Sequence, residues 1–388
     1  MRSSAAAAAA FSSRIRMESP AMRKVVHLTT VHGRDDVRIF HKQCRSLAAA
    51  GYDVTLVAQD GKGNEHREGV RILDLGRPPA GRGRRILLSP WRAYRLLRKM
   101  PVEIVHFHDP ELLPVGLLLK KGKHHVIYDS HEDVPRDILS KYWIPAPLRK
   151  ILSFSFEKLE NFVARRLNAV IGATPFIARR FQRINPRTID VNNYPILAEF
   201  KSATEGRPFS RTICYIGAIT RVRGISELIE SLAVLRDVTL IMCGPFESKA
   251  YEEELMSLAG WKYVDYRGVV GRDEVDRIMA GSALGAVTFL PTPNHVDAQP
   301  NKMFEYMAAG LPLLASNFPL WQRIVAENRC GVCVDPASPV DIARGINGLL
   351  GDEAGWRAMG QAGREAVAKR FHWLHEGEKL VQLYEEIT

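Results

Sequence analysis

Short runs of β-branched and aliphatic residues alternate with longer amphipathic runs along nearly the whole chain, and the alternation occurs twice. In the first series, residues 25–28, 54–57, 70–73, 104–107, 126–128 and 169–172 read as strands, with 70–73 short and edge-like. Helical patterns fall at 39–50, 91–100, 112–119 and 154–167, and a further one ends at Phe181. Gly51 stops the first of them. Strand and helix in strict turn predict a mostly parallel sheet covered on both faces. The rhythm then breaks. Asn192-Asn193-Tyr194-Pro195 reads as a turn, and residues 196–210 have no period. A second series follows, with strands at 212–216, 238–242, 263–266, 286–289 and 313–315 and a helix at 225–235.

A chain of 388 residues exceeds one ordinary α/β core and suits two domains. The fold class predicted is α/β, with two doubly wound, Rossmann-like domains facing a central cleft. Residues 23–200 form the first domain and 201–370 the second, and the segment 371–388 is a last helix that packs back on the first domain. Residues 1–22, with six consecutive alanines from Ala5 to Ala10 and scattered arginines, read as a disordered or non-native extension rather than a secretory leader.

No stretch of 18 apolar residues is present, which argues against a transmembrane helix. The five cysteines are odd in number and scattered, so they do not form a disulfide framework. Cys330-Gly-Val-Cys333 has metal spacing but no second ligand pair nearby in sequence, and two buried thiols are the plainer reading. Charge is uneven. Residues 1–200 hold 34 Lys/Arg against 19 Asp/Glu, a net of +15, whereas residues 201–388 hold 20 against 24. A basic first half implies an anionic partner for it. No zinc finger, recognition helix or interleaved aromatic pattern points to nucleic acid. The segment with Trp91, Tyr94 and Leu97 among Arg92, Arg95, Arg98 and Lys99 could lie on an anionic membrane or pack into the domain.

Ligands of open α/β sheets gather at the carboxyl ends of strands, so polar clusters there carry the functional reading. Gly217-Ala-Ile-Thr-Arg221-Val-Arg223-Gly224 lies between a strand and a helix. Its glycines allow close backbone approach, and two guanidiniums can fork onto a diphosphate. It matches neither the dinucleotide fingerprint nor the P-loop. Pro300-Asn301-Lys302-Met-Phe-Glu305 opens a helix, with Asn301 and Lys302 placed for phosphate charge and Glu305 for ribose hydroxyls. Gly244 follows another strand and borders the nucleotide. In the first half, His108 follows a buried strand, and Gly33 and Arg34 follow the first one. Glu132 and Asp133 form an acidic pair that could meet an acceptor or neutralise neighbouring basic residues.

Taken together, residues 36–51, 105–111, 128–133, 215–224 and 301–312 resemble the fourth sequence family of glycosyltransferases, of the retaining GT-B class found in bacterial polysaccharide and lipopolysaccharide assembly. The resemblance implies transfer of a sugar from a nucleotide-diphosphate donor, UDP-sugar favoured, to a lipid-linked or saccharide acceptor. It implies retention of anomeric configuration, with no tightly bound cofactor and no essential metal. It makes His108, Arg223 and Asp297 the catalytic candidates. Gly33, Gly217, Arg221, Arg223, Gly244, Asn301, Lys302 and Glu305 would hold the donor, and Arg34, Glu132 and Asp133 the acceptor. Two departures stand out: Asp297 is a shorter acid than the family's, and Ala218 replaces an arginine, with Arg221 as the candidate substitute. The expected setting is the cytoplasm, peripheral to the inner face of the membrane. The rival readings are a nucleotide-sugar epimerase of the same architecture and a non-catalytic nucleotide-sugar or anionic-membrane binding protein.

Overall fold

The computed structural model describes residues 23–200 and 209–388, with Lys123 and Tyr142 excepted. The extension 1–22 lies outside the described residues, as does most of the aperiodic linker. The chain forms two compact units. One runs to Asn193 and takes in Trp373–Thr388, and the other is Tyr194–His372. The sequence boundary near 200 therefore moves to 193/194. Tyr194 packs on Phe304 and Phe371, and its hydroxyl donates to Gln299, which commits it to the second unit.

The first unit is an eight-stranded sheet: β1 (Lys24–Leu28), β2 (Asp53–Ala58), β3 (Glu65–Arg67), β4 (Val70–Asp74), β5 (Ile104–Phe107), β6 (His125–Ser130), β7 (Ala169–Gly172) and β8 (Thr188–Asp190). Their order is β3-β4-β2-β1-β5-β6-β7-β8, parallel throughout except for the β3/β4 pair. β5 and β7 are buried along their full length, as strands covered on both faces must be. Gly116 lets its helix close on β5, since a Cβ there would run into the Phe107 ring. The first helix starts as a π-helical stretch, Val37–Cys44, capped by the Asp36 carboxylate on the Arg38 and Ile39 amides. It continues as an α-helix over Arg45–Ala49. Arg38 and Lys42, four residues apart and so on one face, both point inward from this stretch. The closing helix Trp373–Glu386 belongs to this unit. Its Trp373 indole donates to Ser46 Oγ at 2.8 Å, and Glu376 accepts from the Asn192 amide.

The second unit is a six-stranded parallel sheet built from β9 (Thr212–Ile216), β10 (Thr239–Cys243), β11 (Val264–Gly268), β12 (Leu284–Val287), β13 (Leu313–Ser316) and β14 (Gly331–Val334). The order is β11-β10-β9-β12-β13-β14. Leu228, Leu232 and Ile342 fill the core on one side, and Met303, Phe304, Met307 and Trp321 fill a second core. Cys330 is buried in that second core and Cys333 packs against it, and burial raises their thiols to about 12 and about 11. All five cysteines are free. No helix among the described residues is long and apolar enough to cross a membrane.

In each sheet the direction of winding reverses beside one strand, β1 in the first unit and β9 in the second. The loops after β1 and β5, and those after β9 and β12, diverge from these two switch points. Loops that diverge at a switch point leave a crevice that regular packing elsewhere closes.

Candidate functional sites of the two units

In the second unit the site begins with glycines. Gly217 and Gly244 end β9 and β10 with φ of 135° and 137°, a region closed to side chains. A Cβ on Gly244 would strike the Gly217 carbonyl, and one on Gly224 the Thr288 carbonyl. Gly244→Ala is therefore expected to destabilise the protein by about 2–4 kcal/mol in urea unfolding. A Cβ on Gly217 would lie 2.9 Å from Lys302 Nζ and 3.3 Å from Arg223 Nη1. The missing side chain thus leaves room where two cations converge.

Lys302 enters from the first turn of the helix Asn301–Ala308 and is buried. Its Nζ has no hydrogen-bond partner among the described residues, and it sits 3.6 Å over the Tyr215 ring and 5.4 Å over Phe289. Burial, then the Arg223 charge, pushes the ammonium well below the ordinary lysine range. Arg223 is held by the Ala218 carbonyl at 3.0 Å and also lies over Phe289. Two basic groups in an aromatic cup, with no carboxylate bonded to either among the described residues, form a seat for an anion.

Glu305, one turn further on, is met by Arg272 at 2.9 Å, and Arg272 also reaches Glu199 at 2.8 Å. Asn301 is exposed at the helix start, and Asp297 is exposed in the preceding loop. That loop is anchored by the Trp321 indole donating to the Ala298 carbonyl at 2.7 Å. Arg221 departs from expectation. It forks onto Glu254 with both contacts at 2.5 Å and stacks on Tyr251, so its charge is spent on the outside of the unit. The 3-10 turn Arg221–Arg223 sends the two arginines to different places, which sequence spacing did not reveal.

The first unit gathers histidines. In the β1/β5 register His27 pairs with His106, and His108 follows β5. His27 Nδ1 lies 3.0 Å from His108 Nε2, and His108 Nδ1 lies 3.1 Å from His131 Nε2. Asp129 Oδ2 is 3.3 Å from both His108 and His131. The Tyr384 hydroxyl, from the closing helix, reaches His106 at 2.7 Å and His27 at 3.2 Å. Arg38 forks onto the Asp129 carboxylate at 2.7 and 3.0 Å, and Gln43 donates to it at 2.8 Å. Burial alone would raise the Asp129 carboxyl, but Arg38 and the imidazoles hold it well below the usual range. Burial and neighbouring imidazoles lower His27 and His108, leaving them neutral near pH 7.

His108 is buried, and both ring nitrogens face protein partners. His131 and His32, their rings tilted against each other with centroids 5.0 Å apart, keep partial exposure at the same strand ends. Asp109 holds the loop after β1 through the Thr30 amide and the Thr29 hydroxyl. Glu111 accepts from Thr30 Oγ1 and pairs with Arg85.

The acceptor candidates fare differently. Arg34 is buried and forks onto Asp60 at 2.6 and 2.7 Å, with the Gly63 carbonyl as a further partner. Asp133 is buried beside Arg136 and Arg180. Glu132 stays exposed, and a Cβ on Gly33 would meet open space. Asp129, Arg38, His131, His27 and Tyr384 escaped sequence selection. The histidines at 27, 106 and 108 were visible, but their meeting depends on strand register and on a helix nearly three hundred residues away.

Comparison with known proteins follows the same division. Residues 37–193 match the model of the glycosyl transferase 4-like domain, and residues 210–352 match that of glycosyl transferases group 1. The MMP alpha-(1->4)-mannosyltransferase of Mycolicibacterium hassiacum is 22% identical over 308 residues, covering 76% of this chain and 74% of the relative. The phosphatidyl-myo-inositol mannosyltransferase of Mycobacterium leprae is 23% identical over 366 residues, covering 89% of each. Among solved structures, a sucrose-phosphate synthase from Thermosynechococcus elongatus superposes with a TM-score of 0.76 at 17% identity, covering 94% of this chain and 99% of its own. The Anabaena protein HepE, in complex with UDP and glucose, gives 0.69 at 15% identity, over 94% of this chain and all of its own.

Proposed function

This chain belongs to the glycosyltransferases of the GT-B fold, with a glycosyl transferase 4-like domain followed by a group 1 domain, and we propose that it transfers a sugar from a nucleotide-diphosphate donor, UDP-sugar first, to a saccharide or lipid-linked acceptor with retention. The observation that carries the donor half of this reading is the unpaired, buried Lys302 amine beside Arg223 under Gly217. A diphosphate supplies the negative charge that the protein itself withholds there.

In the reaction the bond between the anomeric carbon and the diphosphate oxygen breaks. The acceptor oxygen bonds to the same carbon, and its proton passes to the departing diphosphate. Lys302, Arg223 and the amides at the start of the Asn301–Ala308 helix stabilise the charge growing on the leaving group. Glu305 accepts the ribose hydroxyls once Arg272 yields to them, and Gly217 and Gly244 admit the nucleotide close to the backbone. Asp297 faces the sugar from its loop. In the other unit, His131 keeps partial exposure, with His108 and Asp129 fixing its orientation. This reading needs no metal and no resident cofactor. The basic first half suits an acceptor carried at the cytoplasmic face of a membrane.

The test is binding of the purified protein to a panel of uridine, guanosine and thymidine diphosphate sugars, alongside Arg223→Ala and Glu305→Ala. We expect one donor to bind selectively and each substitution to weaken it by about tenfold or more. Donor affinity unchanged by both substitutions would sink the proposed site.

A further inference from the structure

The first unit carries an apolar surface that the transfer reading does not use. The helix Ala146–Ala164 packs on the core along one side and also carries apolar residues on its outer face. Its inward side buries Ser153, Glu160, Val163 and Ala164, while Leu148, Ile151, Leu152, Leu159 and Phe162 are exposed. Those five recur at spacings of three, one, seven and three, which places them on one face at 100° per residue. Phe154, at the margin of that face, is 63% exposed and Ile151 is 61% exposed. Exposed apolar residues gathered on one face mark a site of interaction.

Charge identifies the occupant. The helix Leu113–Lys121 packs against both Ala146–Ala164 and Arg82–Leu97, so the three share one side of the sheet. Arg82–Leu97 adds exposed Leu87 and Trp91, and Leu113–Lys121 adds exposed Leu118. Within these three helices the only acids are Glu157 and Glu160. Glu157 is paired with Arg136, and Glu160 is buried against Arg180 and Tyr128. Lys150, Lys158, Arg84, Arg92 and Arg95 are exposed. The aromatic residues carry cations with them: Lys158 lies over Phe154, Arg166 over Phe162 and, just before the helix, Lys141 over Trp143. Aromatic and aliphatic side chains that can sink into an acyl boundary, bordered by cations that outnumber the acids of these three helices, suit an anionic bilayer surface.

We infer that the helix Ala146–Ala164, flanked by the helices Leu113–Lys121 and Arg82–Leu97, docks this protein on membranes containing anionic phospholipid. The docking face moves the membrane contact from the Trp91 segment alone to a three-helix surface. It deepens the membrane part of the proposed function but stands on these helices, independent of the donor site.

The test is co-sedimentation of the full chain with phosphatidylcholine vesicles, with and without phosphatidylglycerol. The wild type is expected to bind the anionic vesicles, to release them as salt rises, and to show a blue shift of tryptophan fluorescence on binding. Ile151→Ser with Phe154→Ser, and separately Lys158→Glu with Arg166→Glu, should each weaken binding by about tenfold or more. Both double variants alter exposed side chains, and unchanged circular dichroism and donor binding would show that the fold and donor site persist. Absence of wild-type binding to anionic vesicles at low salt would overturn the proposal. So would equal binding to neutral vesicles, or a self-associated protein that Ile151→Ser with Phe154→Ser makes monomeric and that never sediments with lipid.

Discussion

Lys302→Met is expected to lower kcat/KM by about a hundred- to a thousandfold, while leaving the ligand-free protein at least as stable as the wild type. The two effects have one cause. In the free protein the Lys302 amine is buried without a hydrogen-bond partner, beside a second cation, and both conditions disfavour its charge. Methionine fills a similar volume against Tyr215 and Phe289 without that cost, so urea unfolding should show a gain of about 1 kcal/mol. The sign with pH follows. Below the ordinary lysine pKa near 10.4, the unfolded chain holds a proton that folding disfavours. The wild type should therefore gain stability relative to Lys302→Met as pH rises toward that value. A bound diphosphate reverses the preference, so donor binding by the wild type should take up protons. Calorimetry in buffers of different ionisation enthalpy would measure this uptake, which the variant should lose. A large loss of unliganded stability in Lys302→Met would instead make the lysine a packing residue.

The second large effect is expected at Asp129. Asp129→Asn removes the anion from the Arg38 fork and leaves a buried guanidinium with neutral acceptors only, the amide oxygen and the Val191 carbonyl at 2.7 Å, at a cost of about 3–5 kcal/mol. Activity should fall as well, because Asp129 is what His108 and His131 share. Arg38→Met leaves the opposite charge unpaired, but the imidazoles around Asp129 can answer by taking up a proton. Its penalty should shrink in mild acid, whereas that of Asp129→Asn should not.

The wild type has its own pH signature. His27, His106 and His108 all have lowered pKa values, mainly from burial. The unfolded chain binds protons at these positions below its histidine pKa near 6.5, and the folded chain does not. Stability is thus fully present above that pH and declines below it, with a limiting slope of about 4 kcal/mol per pH unit if three protons are involved. Asp129, held low, adds a loss at still lower pH, below the ordinary carboxylate range. His32, raised by Asp36 and Asp109 despite its burial, acts in the opposite sense. Thermal unfolding across this range in the wild type and in His27→Gln would check the slope, which should be shallower in the variant.

The chain announced its two α/β units through local pattern alone. Largely apolar runs become β5, β7, β12 and β13 because a strand covered on both faces has few polar positions to show. The loops after β9 and β12 were legible for a similar reason. Gly217, Gly224 and Lys302 are neighbours of turns and helix starts, where chemistry depends on residues adjacent in sequence. The fate of Arg221 and Arg34 was not, since each is claimed by an acid that spacing does not reveal, Glu254 and Asp60.

The tertiary structure alone decided three things. It set His27 beside His106, because register across two parallel strands is fixed by the packing of whole faces. It drew Tyr384 and Glu376 into the first unit, since the closing helix buries Trp373, Leu380 and Leu383 there. And it left Leu148, Ile151 and Leu152 of Ala146–Ala164 exposed while Glu160 found Arg180 and Tyr128 inside, beside buried Val163 and Ala164. A sequence records which residues prefer burial, but which of them receive it is settled by the partners that distant segments bring.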